Sequence, residues 1–75
     1  MFKDHDVVVL TENLPAYGLV KGDVGTIVDM FKDGQGFLVE FNDSVGRLVA
    51  MEPLAQAQVR KLGKHEVLVP RAKAA

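Results

Sequence analysis

Apolar residues recur along this chain in short runs without helical spacing, and glycine, proline, asparagine or aspartate closes almost every run. Such a pattern predicts short, half-buried strands joined by tight turns. Val7, Val8, Val9 and Leu10 make the first run. The segment after it contains Asn13, Pro15 and Gly18 and reads as a long loop. Residues 24–31 make the second run, with Val24, Thr26, Val28 and Met30 on one parity and Gly25, Ile27, Asp29 and Phe31 on the other. Both parities are largely apolar, so this strand either has both faces covered or carries a bulge, which we expect near Gly25. Asp33-Gly34 is the clearest hairpin signal. In the third run Phe37, Val39 and Phe41 alternate with Leu38 and Glu40, which predicts that the two aromatics and the valine form the heart of the core. Asn42-Asp43-Ser44-Val45-Gly46 makes the next turn, and residues 47–51 a fourth strand. Pro53 is expected to open one helical turn over Leu54-Ala-Gln-Ala-Gln58, because proline is tolerated at a first helical position. Residues 59–62 then close the structure.

About five short strands, glycine-rich turns and one helical turn before the last strand predict an all-β small barrel. Gly18-Leu-Val-Lys-Gly-Asp-Val-Gly-Thr-Ile-Val28, with three glycines and a Lys-Gly-Asp turn before a β-branched run, is its most characteristic stretch. The barrel is assigned to residues 1–62. Residues 63–75 form a C-terminal extension that begins with Gly63 and carries Val67, Leu68 and Val69, stopped by Pro70. An apolar triplet there needs a surface to cover, and we expect it to add or exchange a strand at a sheet edge.

The chain of 75 residues is short enough that its core is thin and each large apolar residue matters. It has no cysteine, so burial rather than disulfides must hold it, which suits a reducing cytoplasm. The apolar runs are too short to cross a bilayer, and acids occupy the N-terminal segment where a signal peptide needs cations, so a cytoplasmic protein is expected. Charge is divided unevenly. Residues 1–56 hold four Lys/Arg against nine Asp/Glu, whereas residues 57–75 hold five against one. An acidic body with a basic tail reads either as a solvated barrel with a basic end or, more sharply, as a tail that meets the body of another copy.

No motif designates a reaction, and a non-enzyme without cofactor is expected. Ser44 is the only serine and sits inside a polar turn with no base beside it. His5 and His65 lie in charged segments near opposite ends. Asp4-His5-Asp6 would point to alternate faces of an extended strand, so no metal site is expected. Gly34-Gln-Gly36 precedes a strand and not a helix N-terminus, which makes it a turn and not a phosphate cradle. Nucleic acid would have to be gripped by Arg60, Lys61, Lys64, Arg71 and Lys73, against the repulsion of an acidic barrel.

Asp6-Val-Val-Val-Leu10, Leu14-Pro, Gly18-Leu, residues 21–28, Val39-Glu-Phe41, Gly46-Arg and Gln58-Val-Arg together resemble a bacterial family of short SH3-like barrel proteins catalogued as a domain of unknown function. The resemblance spans residues 6–62 and implies an SH3-like fold, with no activity, cofactor or catalytic residue to carry over. More loosely, the Lys-Gly-Asp-Val-Gly turn resembles small barrels of ribosomal and elongation-factor proteins that bind RNA or protein. The sequence therefore yields the expectation of a self-associating, protein-binding module acting through Val67, Leu68 and Val69, while Met1, Phe2, Tyr17 and Met51 either add apolar patch or serve as ordinary core or surface residues. Nucleic-acid binding through the basic segment is the alternative.

Overall fold

The computed structural model describes residues 1–32 and 35–66. Five strands, β1 (Val7–Leu10), β2 (Val24–Met30), β3 (Gly36–Asn42), β4 (Leu48–Ala55) and β5 (Val59–Lys61), form one antiparallel sheet in the order β4-β3-β2-β1-β5. The sheet wraps around a single core, giving the small barrel-like all-β fold that the pattern predicts. Short 3-10 turns at Pro15–Tyr17 and Gln56–Gln58 supply the only helical backbone among the described residues. The Asp33-Gly34 hairpin signal and the tail residues Val67, Leu68 and Val69 lie outside the described residues.

Phe37, Val39 and Phe41 face inward and are fully buried, as their alternation predicts. Val8, Leu10, Leu19, Ile27, Leu54 and Val59 complete the core, with Phe2, Leu14, Met30 and Ala50 packed at its margin. Leu19 comes from the long first loop. That loop is closed by backbone hydrogen bonds between Leu14 and Leu19, and it is tied to β1 where Leu10 N donates to Asp23 O (2.9 Å) and Gly22 N donates to Leu10 O (2.9 Å).

The β2 bulge exists, but it is at Val28 and not at Gly25. Ile27 pairs with Val39 and Asp29 with Leu38, so Val28 is the additional residue. This explains the two apolar parities: the extra residue reverses which side chains point inward, so Ile27 before it and Met30 after it both reach the core. Gly25 instead lies within regular pairing, opposite Val8 and Phe41. Its lack of a side chain is required by packing, because a Cβ there would stand 2.6 Å from Val39 Cγ1 and 2.8 Å from the Phe41 ring.

Pro53 departs from expectation as well. It lies within β4 opposite Leu38, and the 3-10 turn starts later, at Gln56. Proline is acceptable there because, among the described residues, β4 is an edge strand bonded only to β3, so a proline whose nitrogen faces outward breaks no ladder bond. The fourth strand consequently runs four residues beyond the predicted Met51. Gln58 Oε1 accepts a bond from Ala55 N (2.9 Å), and Thr11 N donates to Gln58 O (2.9 Å), which together turn the chain from β4 into β5.

Candidate functional site

The edge of β4 that is free among the described residues is the most distinctive surface of this barrel. Its N-terminal half, Leu48-Val49-Ala50-Met51, is apolar throughout, and Leu48 is 59% exposed, with Val49 and Met51 at 40% each. Two local features produce that exposure. Phe41 pairs with Ala50 but Asn42 with Leu48, so Val49 is bulged out of the β3–β4 ladder. The turn before β4 is also tightly fixed by Asp43, which is 3% exposed. Asp43 Oδ1 accepts bonds from Val45 N (3.0 Å) and Arg47 N (2.9 Å), while Arg47 Nε donates to Oδ2 (3.2 Å). Gly46, at φ +85°, closes the turn by donating from its N–H to Asp43 O (3.0 Å), a backbone conformation that favours glycine. The turn thus holds Val45 outward at 70% exposure, beside the start of β4.

Desolvation pushes the Asp43 carboxyl upward, but the backbone N–H groups of Arg47 and Val45 and the Arg47 guanidinium outweigh it and leave the pKa below the usual carboxylate value. A carboxyl with a lowered folded-state pKa contributes stability above its unfolded value and loses that contribution as pH falls through the folded value. We expect Asp43→Asn to lower the midpoint of thermal unfolding at pH 7 and to flatten its decline in acid. An unchanged acid profile would mean that the turn does not depend on the charge.

The edge strand's backbone is available where its side chains are apolar. Pro53 has no N–H, so its pairing with Leu38 is of the kind without mutual hydrogen bonds. Alternation two residues along the regular ladder then directs the N–H and C=O of Met51 away from β3. Around this edge the fixed charge is negative. Glu40 lies opposite Met51, and Glu52 follows it on the strand; neither forms an ion pair among the described residues. Glu40 is held by Asn42 Nδ2, which donates to its Oε1 (3.2 Å).

The opposite edge, β5, has a different chemistry. Arg60 makes a two-pronged pair with Glu66, Nη1 to Oε1 and Nη2 to Oε2 at 2.8 Å each, and Glu66 Oε1 also accepts a bond from Gly63 N (2.7 Å). Lys61 Nζ lies 3.8 Å from Asp6 Oδ2 and 5.9 Å from the centre of the Phe2 ring. Lys64 is exposed in the turn that follows. Of the five cations considered for nucleic acid, Arg60 and Lys61 are therefore engaged with acids, and Arg71 and Lys73 lie outside the described residues. The hydrogen bonds from Arg60 and then Gly63 pull the Glu66 carboxyl from its ordinary 4.5 down to about 2. The stability that the clamp contributes should thus be full above pH 4.5 and lost as pH falls toward 2, while in the folded chain the clamp itself stays ionised until pH nears 2. An NMR titration of the Glu66 carboxyl should show the lowered midpoint, and an ordinary glutamate midpoint would rule the clamp out.

Of the other apolar candidates, Met1 and Tyr17 are exposed, whereas Phe2 is half-buried and packs edge-on against Phe37, with ring centres 5.2 Å apart. Phe2 is part of the core margin and not of a patch. Val45, Leu48 and Val49 were not expected from the sequence. The signal was present in the unbroken run Leu48-Val49-Ala50-Met51, but only the sheet order reveals that its strand is an edge. Ser44 occupies the exposed turn, as expected. Asp6 Oδ2 accepts a bond from Lys3 N (3.0 Å) and faces Lys61, while His5 Nδ1 lies 3.7 Å from Asp4 Oδ2. Among the described residues no three His, Asp or Glu side chains converge as metal ligands, and no helix is long and apolar enough to cross a membrane.

Comparison with known proteins gives one family match: a family model described as "Domain of unknown function (DUF4926)" covers residues 4–61. No curated protein and no solved structure matches the chain. The matched span contains the whole barrel through β5 and stops before the Glu66 clamp.

Proposed function

We propose, on the premise that this chain belongs to the DUF4926 family, that it is a non-enzymatic interaction module that binds protein and associates with copies of itself. The observation that carries this reading is the free β4 edge, where exposed Leu48, Val49 and Met51 adjoin outward-directed backbone groups. Edges of this kind recruit an added strand unless charge, proline or a covering segment prevents it. Pro53 protects only the C-terminal half of β4. The apolar residues Val67, Leu68 and Val69 are the segment this reading assigns to assembly.

The alternative, nucleic-acid binding through Arg60, Lys61, Lys64, Arg71 and Lys73, is less well supported. Phosphate affinity depends on unneutralised cations, and Arg60 and Lys61 already face Glu66 and Asp6. The compartment we propose is the cytoplasm, where a fold without disulfides is at no disadvantage.

Light scattering behind size exclusion, on the full chain over a dilution series, tests the reading. A molar mass at or above twice the 8.2 kDa of one chain, falling on dilution, is the expected result. One chain's mass at every concentration would overturn self-association. Binding to a nucleic-acid oligomer that weakens steeply with salt would favour the alternative.

A further inference from the structure

We infer that the free edge of β4 in one copy is the docking site for the apolar triplet Val67, Leu68 and Val69 of a second copy. This inference rests on the self-association reading and specifies its contact. Two edges compete for the triplet, and their chemistries differ. On β5, Val59 is buried in the core and the remaining side chains, Arg60 and Lys61, are charged. Arg60 and Lys61 are paired with Glu66 and Asp6, so this edge offers no exposed aliphatic residue within the strand, and Lys64, which follows it without an ion pair among the described residues, is a cation like Arg71 and Lys73. On β4, Leu48, Val49 and Met51 supply exposed apolar surface, while Glu40 and Glu52 supply negative charge for the residues after Pro70.

Length fits as well. Pro53 limits new pairing to the N-terminal half of β4, centred on the outward N–H and C=O of Met51. Pro70 limits the tail in the same way, to a short segment that ends one residue after Val69. The donor and the acceptor are thus matched in extent. The place where the tail departs favours a contact between copies. Glu66 is clamped to Arg60 on β5, and three residues reach no more than about 10 Å beyond it. Along the chain the apolar half of β4 is separated from β5 by residues 52–55 and the Gln56–Gln58 turn, and the tail leaves from beyond β5, on the far side of that turn.

The test is the molar mass of three full-length proteins, the natural chain, Met51→Pro and Leu68→Asp, by light scattering at matched concentration. Met51→Pro removes an outward N–H without taking a bond from β3, and Leu68→Asp puts a charge in the middle of the triplet. The expected result is an assembled natural chain and two monomeric variants with unchanged far-ultraviolet circular dichroism, each at half the mass or less. If Met51→Pro does not fold, Met51→Lys asks the same question at a position that is already exposed. Assembly of the folded Met51 variant would overturn the β4 site and leave self-association standing. Assembly of Leu68→Asp beside a monomeric Met51 variant would also overturn it, in favour of β4 paired with β4. A monomeric natural chain would overturn the self-association reading itself.

Discussion

Replacing Phe41 with alanine is expected to lower stability by about 3 to 5 kcal/mol, the range for emptying a buried aromatic site. Phe41 is 2% exposed, and its ring covers the bare backbone of Gly25, with Val39 beside it on the same face of β3. The backbone around the resulting cavity cannot easily collapse, because β3 is bonded to strands on both sides. In a domain of this size total stability is on the order of 4 to 11 kcal/mol, so a large share would be lost. Urea melts of the natural and substituted chains measure the difference. A loss under about 1 kcal/mol would mean that the inward parity of β3 does not carry the core.

The second large effect is the converse, filling the space that Phe41 occupies. Gly25→Val is expected to cost about 3 kcal/mol, at the upper end of what overpacking usually costs. A Cβ at Gly25 would lie 2.6 Å from Val39 Cγ1 and 2.8 and 2.9 Å from two atoms of the Phe41 ring. Carbon atoms in good contact stand about 3.5 to 4.0 Å apart, so both buried side chains would have to move. Gly63→Val is the control. A Cβ there would approach only the Glu66 side chain, at 3.2 Å from Oε1, and Gly63 is exposed. Its cost should stay near the roughly 0.5 kcal/mol typical of surface changes. Gly25→Ala combined with Phe41→Leu should cost less than the two single changes added together, because the smaller side chain vacates the space the methyl needs. Equal costs at Gly25 and Gly63, or strict additivity, would remove the close-packing account.

These two residues also show why the bulge does not lie where the glycine suggests it. A glycine in a strand is compatible with a bulge or with close approach of another group, and sequence alone does not separate the two. Gly25 is there because the Phe41 ring rests on it, a long-range relation between β2 and β3. The real bulge, at Val28, carries no glycine, and its only trace in the sequence is the apolar character of both parities. Pro53 shows the same limitation. Proline suits the start of a helical turn and an edge strand equally, and which applies depends on whether the strand has a neighbour on that side.

The candidate site was partly legible. The sequence pointed to strand addition at an edge and singled out Met51, but it left the edge unidentified and passed over Leu48 and Val49. An apolar run reads as core until the sheet order places it, since burial depends on what covers a strand as well as on its composition. Phe2 is a case the sequence leaves open between patch and core, and contacts with Phe37 and Lys61 place it at the core margin.

By itself the sequence determined the class of fold, the positions of β1 to β3 and β5 to within a residue or so, and the inward face of β3, because alternation and turn residues are local properties that neighbouring positions express directly. Only the tertiary structure decided which strand is the free edge, where the bulges fall, why Gly25 has no side chain, and that Glu66 returns to clamp Arg60. Each of these depends on contacts between residues distant in the chain or on the path of a turn, and no short window of sequence contains both partners and their geometry.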